Sequence, residues 1–252
     1  MVLRFLICGL EHSGTTLVSD LFRQLPGIDS GFEVGVLLRE TPEAFRDLQP
    51  FADNMLNGWG LEEAAFEHCC AAPNFETFYA RLMAASTVLA PDTSAIFDKT
   101  PRYLSHLEAV LDRSNVPVVI CHKDPRAMVC SDFKRAQDEN FERWYADYKH
   151  RKLPYVQKCY RQFLAHRDNP RVTTVGLEDL AMNARATMER MFAHVGESFE
   201  LGYAVIDTLR YKNVKQRTVS ADIAFEYKSR LGSQAQERIM EDFGCFDAWV
   251  YS

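Results

Sequence analysis

"LICGLEHSGTTLV", residues Leu6–Val18, decides the fold: an apolar run, a turn holding Gly9 and Gly14, then the start of an apolar-periodic helix. A strand that feeds a glycine turn into a helix aims several backbone N–H groups and the positive end of the helix dipole at one point, which suits an anion. Ser13, Thr15 and Thr16 add hydroxyl donors around that point. The stretch keeps both glycines of the phosphate-loop pattern G-x-x-x-x-G-K-[ST], but Thr15 stands in the lysine position. In nucleotide triphosphatases that lysine reaches the β/γ-phosphates, so its replacement argues against ATP or GTP hydrolysis. Taken alone, the segment also fits a plain strand-to-helix turn with Ser and Thr as caps. A nucleophile elbow is excluded because Gly14 follows Ser13 directly, and no G-x-G-x-x-G dinucleotide turn is present.

Outward from this loop, three further β-rich runs stand out: Ala95–Lys99 ("AIFDK"), Val116–Lys123 ("VPVVICHK") and Arg171–Asp179 ("RVTTVGLED"). With Leu3–Gly9 they alternate with longer helical patterns, and two are nearly continuous in apolar residues, as central parallel strands are when helices cover both faces. The class is therefore α/β, a central parallel sheet flanked by helices. Asp124 and Pro125 signal a helix start by cap and first-turn proline. "DLAMNARATMERMFAHVG" reads as a helix stopped by Gly196, and the C-terminal stretch as two helices broken around Gly232. No repeat or low-complexity linker marks a boundary, so a single domain is expected over residues 1–252.

Composition sets the limits. At 252 residues and 28.9 kDa the chain buries a core without staples. A net charge of -6 and a pI near 5.7 argue against a broad nucleic-acid surface, so phosphate chemistry must be local. The seven cysteines show no C-x-x-C spacing and read as mostly buried thiols in a reducing compartment rather than as a disulfide framework. "MVLRFLICGL" is too short for a secretory signal, and no run reaches the ~18 apolar residues of a membrane span. A soluble, cytoplasmic protein is expected.

"HSGTTL" (His12–Leu17) resembles the 5′-phosphosulfate loop of the sulfotransferases that use 3′-phosphoadenosine-5′-phosphosulfate (PAPS), where Lys or Arg followed by S-G-T-T is the usual form. The group transferred there has no γ-phosphate, which accounts for the absent lysine. The family's 3′-phosphate motif, a strand ending in Arg with Ser eight residues later, is similar to "CHKDPRAMVCS", with Lys123 and Ser131 in those places. Lysine keeps the charge and loses the bidentate fork. About two turns of helix return Ser131 to the face that starts at Asp124. An exposed cation and a helix-surface serine are the alternative for either residue alone. "FDKTPRYL" (Phe97–Leu104) resembles the segment whose lysine, here Lys99, lies near the sulfonate, and "YKNVKQRTV" (Tyr211–Val219) falls where the family places a basic loop over the 3′-phosphate, with Lys215 and Arg217 as candidates.

The resemblance implies the P-loop-like sulfotransferase architecture, with PAPS as donor, the 3′,5′-bisphosphate PAP as product and no metal. Transfer also needs an acceptor oxygen, a base for its proton and donors where charge gathers. A lysine at a strand's C-terminal end sits where α/β ligands bind, which supports Lys99. His12 replaces a permanent cation and could assist the leaving group charged or neutral. Glu33 in "DSGFEVGVLL" stands where carboxylate-using sulfotransferases keep their base; among Phe32, Val34 and Val36 it would be partly desolvated, and a loop carboxylate in a salt bridge is the alternative. His68, His106 and His122 are fallback bases. Aromatic residues between Arg39 and Ala90 and from Phe141 to Tyr155 are core or acceptor-pocket wall. A small-molecule hydroxyl is the expected acceptor. A P-loop kinase with a degenerate loop, using Asp98 for magnesium, and a nucleotide-binding module without chemistry are the competing readings.

Overall fold

Apolar runs without polar alternation need cover on both faces, and the chain supplies it by interleaving strand and helix. In the computed structural model, which describes residues 2–204 and 220–251, β1 (Leu3–Gly9) leads into α1 (Thr15–Phe22) and β2 (Ile28–Asp29). Three helices, α2 (Phe51–Gly58), α3 (Glu63–Cys70) and α4 (Phe75–Ala85), precede β3 (Ala95–Lys99). After α5 (Leu107–Arg113) come β4 (Val118–His122), α6 (Pro125–Ala136) and the long α7 (Phe141–His166). The chain continues through β5 (Val172–Gly176), α8 (Leu177–Met182), α9 (Ala184–His194), α10 (Ala221–Ala224), α11 (Glu226–Arg230) and α12 (Ser233–Phe243).

The five strands form one parallel sheet in the order β2-β3-β1-β4-β5. Side-chain parity divides its core. Leu6 and Cys8 of β1, Ile96 of β3, and Val118 and Ile120 of β4 join one apolar cluster with α2 to α7. Phe5, Ile7, Phe97, Val119 and Cys121, one residue out of step, join a second cluster with α1 and α9. Phe5 stacks on Phe97 with ring centroids 5.0 Å apart, tying β1 to β3 beneath α1. From β1 the chain turns toward β2, and from β4 toward β5, so the connections diverge between β1 and β4. Ligands of open α/β sheets enter such a crevice at the strands' carboxyl ends.

The sequence pattern departs from the structure in five places. β4 starts only at Val118, because Pro117 has no N–H to donate, and Lys123 lies one residue beyond the strand. β5 stops at Gly176, and Leu177, Glu178 and Asp179 open α8, whose amino end favours the two acids. The following helical pattern breaks at Asn183, and the C-terminal stretch forms three helices rather than two, with Gly232 still a break. The two-residue β2 is too short to carry a period of two. Six cysteines are buried and Cys245 is exposed; all seven are free thiols. Among the described residues no helix is long and apolar enough to cross a membrane.

Candidate active site

The carboxyl ends of the adjacent strands β3, β1 and β4 bring Lys99, the glycine loop and Lys123 to one edge of the sheet. The glycine loop after β1 is pressed onto β4: a Cβ on Gly9 would meet the Cys121 carbonyl oxygen at 2.2 Å. Gly14, at φ +89°, takes the N-cap position of α1, where no side chain caps the helix. The first intrahelical bond runs from Val18 N to Gly14 O (3.0 Å), leaving the amides of Thr15, Thr16 and Leu17 without a partner inside the helix. Ser13 is spent on structure: its hydroxyl donates to the carbonyls of Leu10 (2.6 Å) and Cys121 (2.9 Å), lashing the loop to β4. Thr15 is buried and Thr16 half-buried, so these two hydroxyls and the amides make the cradle.

His12 occupies a left-handed conformation at φ +64°. Its outer surface is open to solvent, yet the protein crowds the ring. Lost hydration and then the Arg135 charge hold its pKa below the ordinary imidazole value; Asp132 opposes, and Lys123 and Lys152 add to the depression. Before a ligand arrives, His12 at neutral pH is therefore an uncharged donor or acceptor rather than a cation.

Glu33 and Lys99, 66 positions apart in sequence, meet: the Lys99 ammonium lies 3.1 Å from Glu33 Oε1 and 4.7 Å from the centre of the Phe32 ring. Val34 and Val36 turn into the core, so the Glu33 carboxylate is not walled in by its apolar neighbours; it is part-exposed and paired with a buried lysine. Its loop is clamped along the backbone. A Cβ on Gly31 would strike the Trp59 ring at 2.5 Å, and Trp59 Nε1 donates to Phe32 O (2.8 Å) while Asn54 donates to Glu33 O (3.2 Å).

From the sheet side the clamp is Asp98. Its Oδ2 accepts from the hydroxyls of Tyr79 and Tyr103 (2.7 Å each), and its Oδ1 from Thr100 Oγ1 (2.7 Å) and Val34 N (3.4 Å). Thr100 Oγ1 in turn accepts from Gly35 N (3.1 Å), and the Tyr103 hydroxyl from Leu37 N (3.3 Å). Burial pushes the Asp98 carboxyl above its ordinary pKa, and the donors Tyr103, Tyr79 and Thr100 pull it back. Both oxygens are thus committed to the protein, which removes Asp98 as a magnesium ligand.

Beyond β4, Lys123 is buried and, among the described residues, makes no ion pair. Burial pushes its pKa down to about 8, against the nearby carboxylates of Asp132 and Glu178. Glu178 accepts from Asp124 N (3.0 Å), and burial raises its carboxyl to about 7. Ser131 is half-buried on the second turn of α6, between Cys130 and Asp132, and the Asp132 charge reaches Lys123. Asp124 caps α6 as expected, accepting from Arg126 N (2.7 Å). Lys215 and Arg217 lie outside the described residues.

The fallback histidines are engaged elsewhere. His68 is exposed on α3, His106 faces Ser105 and Lys158, and His122 stacks beside Trp249, its pKa pushed down to about 4 by burial. A surface cleft of about 340 Å³ lies among Arg23, Pro26, Asp29 and Asp92 at the opposite, amino-terminal edge of the strands. Among the described residues no group of three or more His, Cys, Asp or Glu is placed to hold a metal.

Strand order and the glycine loop after β1 define a P-loop-like α/β fold. The profile of the Sulfotransferase family matches residues 5–200, and the chain belongs to that family. Solved structures agree on the fold. The sulfotransferase domain of the Synechococcus PCC 7002 olefin synthase is 20% identical with a TM-score of 0.65, over 95% of this chain and 93% of its own. The corresponding domain of the curacin biosynthetic pathway is 15% identical with a TM-score of 0.63, over 97% and 98%. Mouse sulfotransferase SULT7A1, solved with PAP, is 10% identical with a TM-score of 0.57, over 97% and 86%. No curated protein matched.

Proposed function

We propose that this chain transfers a sulfonate from PAPS to the hydroxyl of a small acceptor and releases PAP, in the cytoplasm, where a reducing milieu suits its free thiols. The observation that carries the reading is the Glu33–Lys99 contact at 3.1 Å, at the same sheet edge as the two anion cradles. The residues present fit the donor. The uncapped amides of α1 suit the 5′-phosphosulfate, with Thr15 and Thr16 beside them. Lys123, a buried cation lacking an ion pair among the described residues, suits a 3′-phosphate, with Ser131 nearby and Lys215 and Arg217 assigned by resemblance.

The donor supplies an activated sulfonate on a phosphate leaving group. Glu33 takes the acceptor's proton as the acceptor oxygen bonds to sulfur; the bond from sulfur to the 5′-phosphate oxygen breaks, and its electron pair stays on the phosphate. Lys99 orients the Glu33 carboxylate and places positive charge where the sulfonate oxygens gather it. His12, neutral in the free protein, donates a hydrogen bond to the leaving group and gains charge as the dianion settles beside it. No step calls for a metal. The kinase reading loses its magnesium ligand, since Asp98 is fully hydrogen-bonded, and a module without chemistry would have no use for the Glu33–Lys99 pair.

Calorimetry with PAP and with ATP tests the assignment. PAP should bind and ATP should not compete with it. Lys123→Ala should lower PAP affinity about tenfold or more, as loss of a charge-assisted contact does, while leaving adenosine 5′-phosphate nearly unaffected. Equal losses for both nucleotides would remove Lys123 from the 3′-phosphate site, and preference for ATP would end the sulfotransferase reading.

A further inference from the structure

One cation near the glycine loop is not used by the reading above. The buried stripe of α7 runs through Tyr145, Tyr148, Val156, Cys159 and Phe163, at helical spacing. Lys152 falls four residues after Tyr148 and seven before Cys159, inside that stripe, so its stem turns toward the protein. Its side chain is only 13% exposed. The ammonium lies 3.2 Å from Asp132 Oδ2 and 3.7 Å from Glu11 Oε2, and 5.6 Å from the centre of the Tyr155 ring. Asp132 is itself fixed by the Tyr148 hydroxyl (2.8 Å). Glu11 belongs to the loop, immediately before His12, and is more than half exposed, so the longer of the two ion pairs ties Lys152 to the loop itself.

We propose that Lys152 supplies from α7 the cation that the loop's own sequence lacks at His12, reaching the 5′-phosphate end of the donor by exchanging its long contact to Glu11. The inference rests on the PAPS reading. With Lys123 assigned to the 3′-phosphate, geometry favours Lys152 over Arg135, which also acts on His12: Arg135 is exposed at the end of α6, whereas Lys152 is held by a fixed carboxylate and already touches the loop. Depression of the His12 pKa by Lys152 fits the same proximity. During transfer the ammonium would sit beside the phosphate oxygen that keeps the electron pair, while Glu33 holds the proton.

Binding to PAP and to adenosine 3′-phosphate, which lacks the 5′-phosphate, tests this without an acceptor. Lys152→Met keeps the apolar stem and should weaken PAP about tenfold or more while leaving adenosine 3′-phosphate unchanged. Lys152→Arg should stay within about threefold of the original. His12→Lys in the Lys152→Met background should recover most of the loss, because the cation returns to the loop itself. Equal weakening of both nucleotides by Lys152→Met would assign the residue to packing around Asp132 and Tyr148 and overturn the proposal, as would unchanged PAP binding or failure of His12→Lys to restore it in a folded variant. Failure of the unaltered protein to bind PAP at all would instead sink the donor assignment.

Discussion

The two sides of the glycine loop hold their charges differently. Toward β3 the charges are matched at the strand's end: Asp98 accepts four hydrogen bonds, and Lys99 has both Glu33 and the Phe32 ring. Toward β4, Lys123 sits buried without an ion pair among the described residues, its pKa lowered, and His12 stands uncharged among cations. A saturated cluster is rigid and holds its members in place; a strained, cation-rich one is stabilised when an anion arrives. On the proposed reading, the β3 side positions the base and its lysine, and the β4 side carries the donor's 3′-phosphate.

That contrast breaks most sharply at Glu33. Glu33→Gln should lower turnover by about 10²- to 10⁴-fold, the range for loss of a general base, with PAP affinity in calorimetry nearly intact. A parallel drop in PAP affinity would show that the β3 side also binds.

Next in size is Asp98→Ala, which strands the hydroxyls of Tyr79, Tyr103 and Thr100 and the Val34 amide. At about 1–3 kcal/mol for each buried group left unpaired, partly relieved by water, we expect a loss of about 3–5 kcal/mol in urea unfolding. A loss below about 1 kcal/mol would mean the hub is not what fixes the Glu33 loop.

On the β4 side the expected signal is in pH. With the Lys123 pKa lowered to about 8 in the free protein, PAP must find it protonated, so affinity should fall as pH rises above about 8. The same shift acts on folding with the opposite slope. Between about pH 8 and the ordinary lysine value the unfolded chain binds more protons, so the cost of the buried charge is relieved as pH rises. Lys123→Arg, charged throughout, should flatten the binding profile up to about pH 10. A fall of equal steepness in that variant would trace the effect to another group.

The smallest change is Ser13→Ala, which removes the lashing to Leu10 and Cys121. It should cost about 1 kcal/mol in stability, as a net hydrogen bond does, and weaken PAP only through a looser loop. A tenfold loss of PAP affinity without loss of stability would return the Ser13 hydroxyl to the cradle.

Local chemistry made much of this legible. The glycine positions, the Asp124 cap and the β-rich runs are short-range signals, and they fixed β1, β3, β4, α1 and α6 to within a few residues. Lys99 and Glu33 were readable one at a time, each by its place beside a strand or helix; their contact was not, because it closes a separation of 66 residues. Asp98 was weighed as a metal ligand since a strand-end carboxylate looks the same whether it faces solvent or three hydroxyls. Tyr79 counted as one aromatic among many. Lys152 was hidden among Lys149, His150 and Arg151, and only its register with Tyr148 and Cys159 would have singled it out.

The cysteines offer a practical handle. Burial raises the thiol pKa of Cys69 to about 11 and of Cys70 and Cys159 to about 12, and lifts Cys8 and Cys121 as well, while Cys245 lies open. Since the thiolate is the reactive form, a maleimide dye added to the native protein should label one position first. Later uptake by the remaining six would then serve as a stopwatch for core opening, and its slowing by nucleotide would report occupancy with no acceptor in hand.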